Sequence, residues 1–338
     1  VIVDRLIVQV IKDGKAKGSQ IPKSHLGTML KAETFLQHFD IIDTVVTTPA
    51  YLSNFRLIGP GYNDGGPGER VYYRGEAARV STSTDTIERF LDVMQFADNA
   101  DRTNAIAGAL TVILRNHCPG EKPAIVTTAS KSHAGKNTII DFAVGSNRIS
   151  SVNYQTTDWA LERAVVGNLK HDPDTAVIHV DNARLDRGEF IRSAFLERFV
   201  TDAEPTLFST GSGGPQRRRN DYVIAISTNE GMLSADLMNR ALPIHLAPTG
   251  NIEDRDPEIG NPRHEFLPAN REPIEAELRG MIERWKEAGQ PLADNVHHPF
   301  TSWARTIGGI LQANGFSGFL ANYRTRKVAD DPVREAVE

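Results

Sequence analysis

Hydrophobic and polar positions follow one rhythm in the middle of the chain and others on either side. Between residues 122 and 247, short apolar runs of strand length recur: PAIVTTAS, RISSVNYQ, TAVIHVDN, DYVIAISTN and PIHLAP. Between them lie segments with helical apolar spacing: KNTIIDFAVG, TDWALERAVVGNLKHD, FIRSAFLERFV and SADLMNRAL. Strands that are apolar on both faces need cover on both sides. Such alternation therefore predicts an α/β core with a mostly parallel sheet sandwiched by helices.

The flanks read differently. Residues 1–80 mix strand-like VIVDRLIVQVI, TVVTT and RVYYRG with Gly- and Pro-rich turns and one helical stretch, LGTMLKAETFLQHF. Residues 81–120 carry two helical segments, TDTIERFLDVMQF and ADRTNAIAGALTVILRN, with Thr and Asp in capping position. A Pro-, Gly- and charge-rich stretch at 248–271 reads as a linker. Helices then follow in PIEAELRGMIERWKEAG, FTSWARTIGGILQANG and FSGFLANYRT, before a charged tail. The expected organisation is a small α+β region at 1–80, a helical lead-in at 81–120, the α/β core at 121–250 and a helical, lid-like region at 251–338. Trp159, Trp285 and Trp303 sit at helical core spacing and read as packing.

Composition narrows the class. The chain has 338 residues, 40% hydrophobic and 24% charged, as in an ordinary globular protein. No apolar run approaches the ~20 residues of a membrane helix, and no signal-peptide pattern opens the chain, so no membrane partner is expected. A single cysteine, Cys118, cannot form an internal disulfide and fits the reducing cytoplasm. The net charge of −5 argues against a protein that coats nucleic acid throughout, while leaving room for a local basic channel. The chain begins at Val1 and is expected to be a piece of something longer.

Candidate chemistry starts at ASKSHAGKNTII, residues 129–140, between a strand-like and a helix-like run. Gly135-Lys136 in that context matches the end of a phosphate-binding loop, G-x-x-x-x-G-K-[ST]. Backbone N–H groups and a helix N-terminus would face the phosphates, and the lysine would reach the β and γ phosphates. Ser130, Ser132 and Ala134 keep the loop slim. Two letters depart from the pattern. Ser130 replaces the first Gly, at a cost if that position needs φ > 0. Asn137 replaces the hydroxyl that ligates Mg²⁺; its amide oxygen is a less usual ligand, and Thr138 comes one residue late. The competing reading is an ordinary Gly-Lys helix start.

Further features follow in order. TAVIHVDN ends in Asp181-Asn182, placing a carboxylate where Mg²⁺ could be held; an Asp-Asn turn is the alternative. YVIAISTN ends in Thr228-Asn229. Arg240 follows a short helix just before PIHLAP, where capping its own helix is the plain role. GSGGPQRRRND carries Arg217, Arg218 and Arg219 in a basic loop, able to meet nucleic-acid phosphates or to be merely solvated or bridging. His171, His179 and His245 lie in or beside strands and read as packed. No metal-ligand spacing of Cys and His is visible.

The loop, the DN strand, the TN strand and D-L-x-x-R, in that order, resemble the P-loop ATPase region of phage, plasmid and integrated-element replication proteins. These are AAA+ or superfamily-3-helicase-like, often of primase-helicase type. TTPAYLSNFRLIGPGYNDGGPGERVYYRG, TNAIAGALTVILRNH and SWARTIGGILQANGFSGFLAN are similar to the same family, so the resemblance spans roughly 40–325. It implies a P-loop NTPase core that binds ATP and Mg²⁺. Ser130, Ala134, Gly135, Lys136, Asn137 and Thr138 would cradle the nucleotide, and Asn137 and Asp181 would hold the metal. Asn182 and Asn229 would order the attacking water, and Arg240 would complete a neighbour's site. It further implies a homo-oligomeric ring such as a hexamer, single-stranded or forked DNA as partner, an upstream primase domain, and DNA unwinding or translocation in replication of a mobile element. The alternative is a non-hydrolysing nucleotide-binding module in a replication or defence complex, favoured by the missing Ser/Thr and by Asn182 where a Glu is usual.

Overall fold

Five short strands form one parallel sheet: β1 (Ala124–Ala129), β2 (Arg148–Asn153), β3 (Thr175–Asp181), β4 (Val223–Ser227) and β5 (Ala241–Leu246). Their spatial order is β5-β1-β4-β3-β2. The structure is a computed structural model that describes residues 7–12, 15–20, 27–28, 30–37, 39–118, 120–172, 174–181, 190–207, 216–228, 232–250 and 257–325. The inner strands, β1, β4 and β3, are Val-, Ile- and Ala-rich and buried along nearly their whole length, as strands covered on both faces must be. β2 is polar and largely exposed, which suits its place at the sheet edge.

This order creates a switch point. The chain leaves β1 for β2 at one edge of the sheet, and later returns to lay β5 on the other side of β1. In open α/β sheets the crevice at the carboxyl end of such a strand is where ligands bind.

The helices are α1 (Asp85–Val93), α2 (Asn99–Ile113), α3 (Lys136–Val144), α4 (Asp158–His171), α5 (Ala194–Thr201), α6 (Ala235–Met238), α7 (Leu267–Glu287) and α8 (Thr301–Ala313). α2 packs on β5, α3 and α8 and is buried on nearly every face. Its cap is Asp98, whose carboxylate accepts from Asp101 N. The Thr cap of α1 is different. The Thr84 hydroxyl turns to Glu88, and Glu277 of α7 instead accepts the N–H groups of Thr86 and Ile87 at 3.0 and 2.8 Å.

One apolar core runs from Tyr51 to Tyr323 and joins the sheet, α1, α2, α7 and α8. Trp285 and Trp303 are buried in it. Trp159 is not: it is 68% exposed, with Arg163 lying 5.2 Å over its ring, so its helical spacing marks the solvent face of α4.

The N-terminal part contains an Ile7–Lys12/Lys15–Gln20 hairpin and a three-stranded sheet of Thr44–Val46, Arg70–Tyr73 and Gly61–Asp64. Helical expectations shrink in places. Among the described residues of LGTMLKAETFLQHF, Gly27–Thr28 and Glu33–Leu36 are helical, and Leu36 is 49% exposed. FIRSAFLERFV splits, because Phe190–Ile191 pairs with Met232–Leu233 as a short strand. The helix then begins after Ser193, whose hydroxyl caps Leu196 N. FSGFLANYRT makes turns through left-handed Gly318 and Leu320 before a last helical turn. Among the described residues, no helix is long and apolar enough to cross a membrane.

Candidate functional site

The chain leaves β1 at Ala129, turns through residues 130–135 and enters α3 at Lys136. Ser130 N donates to Leu246 O at 3.0 Å, tying the loop to the end of β5. Lys131 Nζ reaches Gly250 O at 2.6 Å on the same side. Within the loop the left-handed residues are His133, with φ of 60°, and Gly135, with φ of 99°. The left-handed backbone disfavours a side chain at Gly135, and a Cβ there would stand 2.8 Å from Met94 Cε, which would have to move aside. Ser130 is not among the positive-φ residues, so replacing Gly there carries no such strain.

Gly135 is the N-cap of α3 and supplies no side-chain hydrogen bond to the first turn. The helix therefore opens with backbone donors uncapped by its N-cap residue, an arrangement suited to an anion. Lys136 is half-buried beside it. Burial pulls its proton affinity below the ordinary lysine range, and the Asp181 carboxylate partly opposes this. Asp181 ends β3, two strands from β1 with β4 between them, which puts the two strands about 10 Å apart. The lysine and the carboxylate thus share the carboxyl edge of the sheet, at the switch point. Asn137 is half-buried in the first turn of α3, whereas Thr138 is buried to 7% exposure and faces back toward Gly135.

Sequence reasoning missed a polar chain behind Asp181. Ser227, the last residue of β4, lies 2.6 Å from Asp181 Oδ1 and 3.0 Å from His179 Nε2. His179 Nδ1 in turn lies 3.5 Å from Ser151 Oγ of β2. Burial lowers the His179 pKa, and the Asp181 carboxylate partly opposes this. The signal was present: residues 179 and 181 are two apart in a strand and must share a face.

Other candidates sit elsewhere. Arg240 lies where β5 begins; its backbone O accepts from Ala124 N at the start of β1, one strand length (about 20 Å) from the loop. Its guanidinium donates to Asp236 O at 2.7 Å, capping its own short helix. Arg217, Arg218 and Arg219 precede β4 and also lie at the amino edge. Arg217 pairs in a two-residue strand with Thr206–Leu207, and Arg218 stacks over Tyr222 at 5.1 Å. Arg219 bridges to Glu69 at 3.0 Å, joining the N-terminal sheet to the core. Arg218 and Arg219 also line a cavity of about 470 Å³ below that sheet, together with Arg115, Asp221 and Tyr51. Asn182 and Asn229 fall outside the described residues.

The donor set fits a nucleotide carrying Mg²⁺. A carboxylate and an amide oxygen are hard ligands, and Mg²⁺ takes the rest of its shell from water and phosphates. Among the described residues no group of three His, Cys, Asp or Glu could hold a metal without such help.

Neither a protein-family model nor a curated protein matches the sequence. Among solved structures, the chain is similar to the C-terminal region of NrS-1 at 12% identity and a TM-score of 0.45. That alignment covers 78% of this chain and 62% of that one, so the chain spans under two thirds of its length. It is also similar to the JCV helicase at 13% identity and a TM-score of 0.36, over 72% of this chain and 66% of that one. Likeness at this level assigns no function.

Proposed function

We propose that the chain is a nucleotide-driven ATPase of the P-loop class, working as a DNA motor. One observation carries the reading. A left-handed Gly135 and a desolvated Lys136 open α3 at the switch point of a parallel sheet, and they face the Asp181 carboxylate across the end of β4. Lys136 would hold the β and γ phosphates against the uncapped start of α3. Asp181 and Asn137 would hold the Mg²⁺, which neutralises phosphate charge when bound. Asn182 and Asn229 would orient the attacking water. Arg240 is too far from its own loop to act there, so its proposed role is at a neighbouring subunit's site in a ring. Cytoplasmic replication of a mobile element and an upstream primase domain belong to the same reading and rest on the sequence resemblance. DNA contact through Arg217, Arg218 and Arg219 would compete with the contacts of Arg218 to Tyr222 and of Arg219 to Glu69.

A second reading, nucleotide binding without turnover, is favoured by Asn137 standing in the hydroxyl position while the Thr138 hydroxyl is buried. ATP turnover with and without single- and double-stranded DNA, for wild type and Lys136→Ala, separates the two. Turnover that rises with DNA and disappears in the variant supports the motor. Binding without turnover in the wild type favours the module.

A further inference from the structure

We propose that Ser227 and His179 are positioning residues for the Asp181 carboxylate, fixing how it meets the nucleotide's Mg²⁺. This rests on the nucleotide-site reading above. The support is a proton inventory. Ser227 Oγ stands between Asp181 Oδ1, at 2.6 Å, and His179 Nε2, at 3.0 Å. A hydroxyl owns one proton, and an ionised carboxylate can only accept. The Ser227 proton therefore points at Asp181, and Ser227 Oγ must accept from His179 Nε2–H. His179 Nδ1, on the other side of the ring, lies 3.5 Å from Ser151 Oγ. Two donors thus point the same way, His179 to Ser227 and Ser227 to Asp181.

The geometry is rigid. Ser227 is 2% exposed and His179 5% exposed, on adjacent strands held in register by β3–β4 pairing. Rotating the Asp181 carboxylate would strand the Ser227 proton in a buried site, at the cost of an unsatisfied polar group. Partners of this kind, one shell behind a metal ligand, set the ligand's orientation and typically govern metal affinity about 10–100-fold. A pair that served only to satisfy its own buried polar atoms would affect folding stability and nothing at the nucleotide.

The test uses Mn²⁺ as a paramagnetic stand-in for Mg²⁺. Free Mn²⁺ is followed by electron paramagnetic resonance as it is titrated into the protein with a non-hydrolysable ATP analogue. Binding of the analogue without metal is measured alongside. Ser227→Ala is expected to weaken Mn²⁺ binding about 10-fold or more, with metal-free analogue binding unchanged. His179→Leu should do the same and His179→Gln less, because Gln keeps an N–H donor. Ser227→Thr and Ser227→Val provide a matched pair should the alanine variant fail to fold: they differ by one hydroxyl, and only Thr should retain Mn²⁺ affinity. Equal Mn²⁺ affinity in wild type, Ser227→Ala and Ser227→Val overturns the positioning role alone. A folded wild type that binds the analogue neither with Mn²⁺ nor without it overturns the nucleotide-site reading, and the positioning role with it.

Discussion

Gly135 combines a left-handed backbone, φ of 99°, with a neighbour, Met94 Cε, standing 2.8 Å from where a Cβ would be. Gly135→Ala should therefore destabilise the fold by about 1–3 kcal/mol and spoil the loop. Thermal unfolding and nucleotide binding would both report it. Ser130 is the opposite case. From the sequence, its replacement of a loop glycine is costly only if that position needs φ > 0. The left-handed positions are His133 and Gly135, so Ser130→Gly should relieve nothing and leave nucleotide affinity within about twofold, with stability lower by a few tenths of a kcal/mol from added chain freedom. Lys136 was legible as a letter. Its place in one site with Asp181 was expected too, but its half-burial was not, because that depends on the elements packed around it.

Capping is decided between elements as much as within them. Thr84 precedes α1 as a good cap residue should, yet the first-turn N–H groups of Thr86 and Ile87 go to Glu277, 190 positions away along the chain. Glu277→Ala strands one buried donor, Ile87 N–H, and one part-buried donor, Thr86 N–H, and should cost about 1–3 kcal/mol in urea unfolding. His298 plays a similar joining part. Its Nε2–H donates to Ala241 O, and its Nδ1 accepts from Phe300 N. Burial pushes its pKa from 6.5 down to about 4. Between those values the unfolded chain binds the proton and the folded chain does not, so stability falls as pH drops through that window. From pH 7 to 5 this amounts to about 2 kcal/mol. Urea unfolding of wild type and His298→Gln at both pH values isolates it, and the variant should lack this share of the loss.

At the scale of the molecule, the sheet separates its two edges. The loop, Lys136, Asp181 and Ser227 meet at the carboxyl edge; Arg240 and Arg217 to Arg219 lie at the amino edge. An arginine so placed can serve catalysis only across a subunit boundary. Mixing inactive Lys136→Ala with inactive Arg240→Ala chains should then restore turnover at about one site in four, since some intact loops would meet an intact neighbouring arginine. Turnover in the mixture no higher than in either variant alone would leave Arg240 as the cap of its own helix.

Local pattern alone determined the α/β alternation at 122–247, the five strands, the longer helices and the Gly-Lys loop between strand and helix. Each depends on residues near in sequence: apolar period, Gly conformational freedom and capping side chains. Tertiary structure alone decided the strand order, and with it which strand ends share a crevice. It placed Ser227 and His179 behind Asp181, turned Trp159 to solvent and gave Arg219 to Glu69. The physical reason is that burial and hydrogen-bond partners are properties of neighbours in space. A strand's own letters show that it will be covered, but not which polar group will lie across from its end.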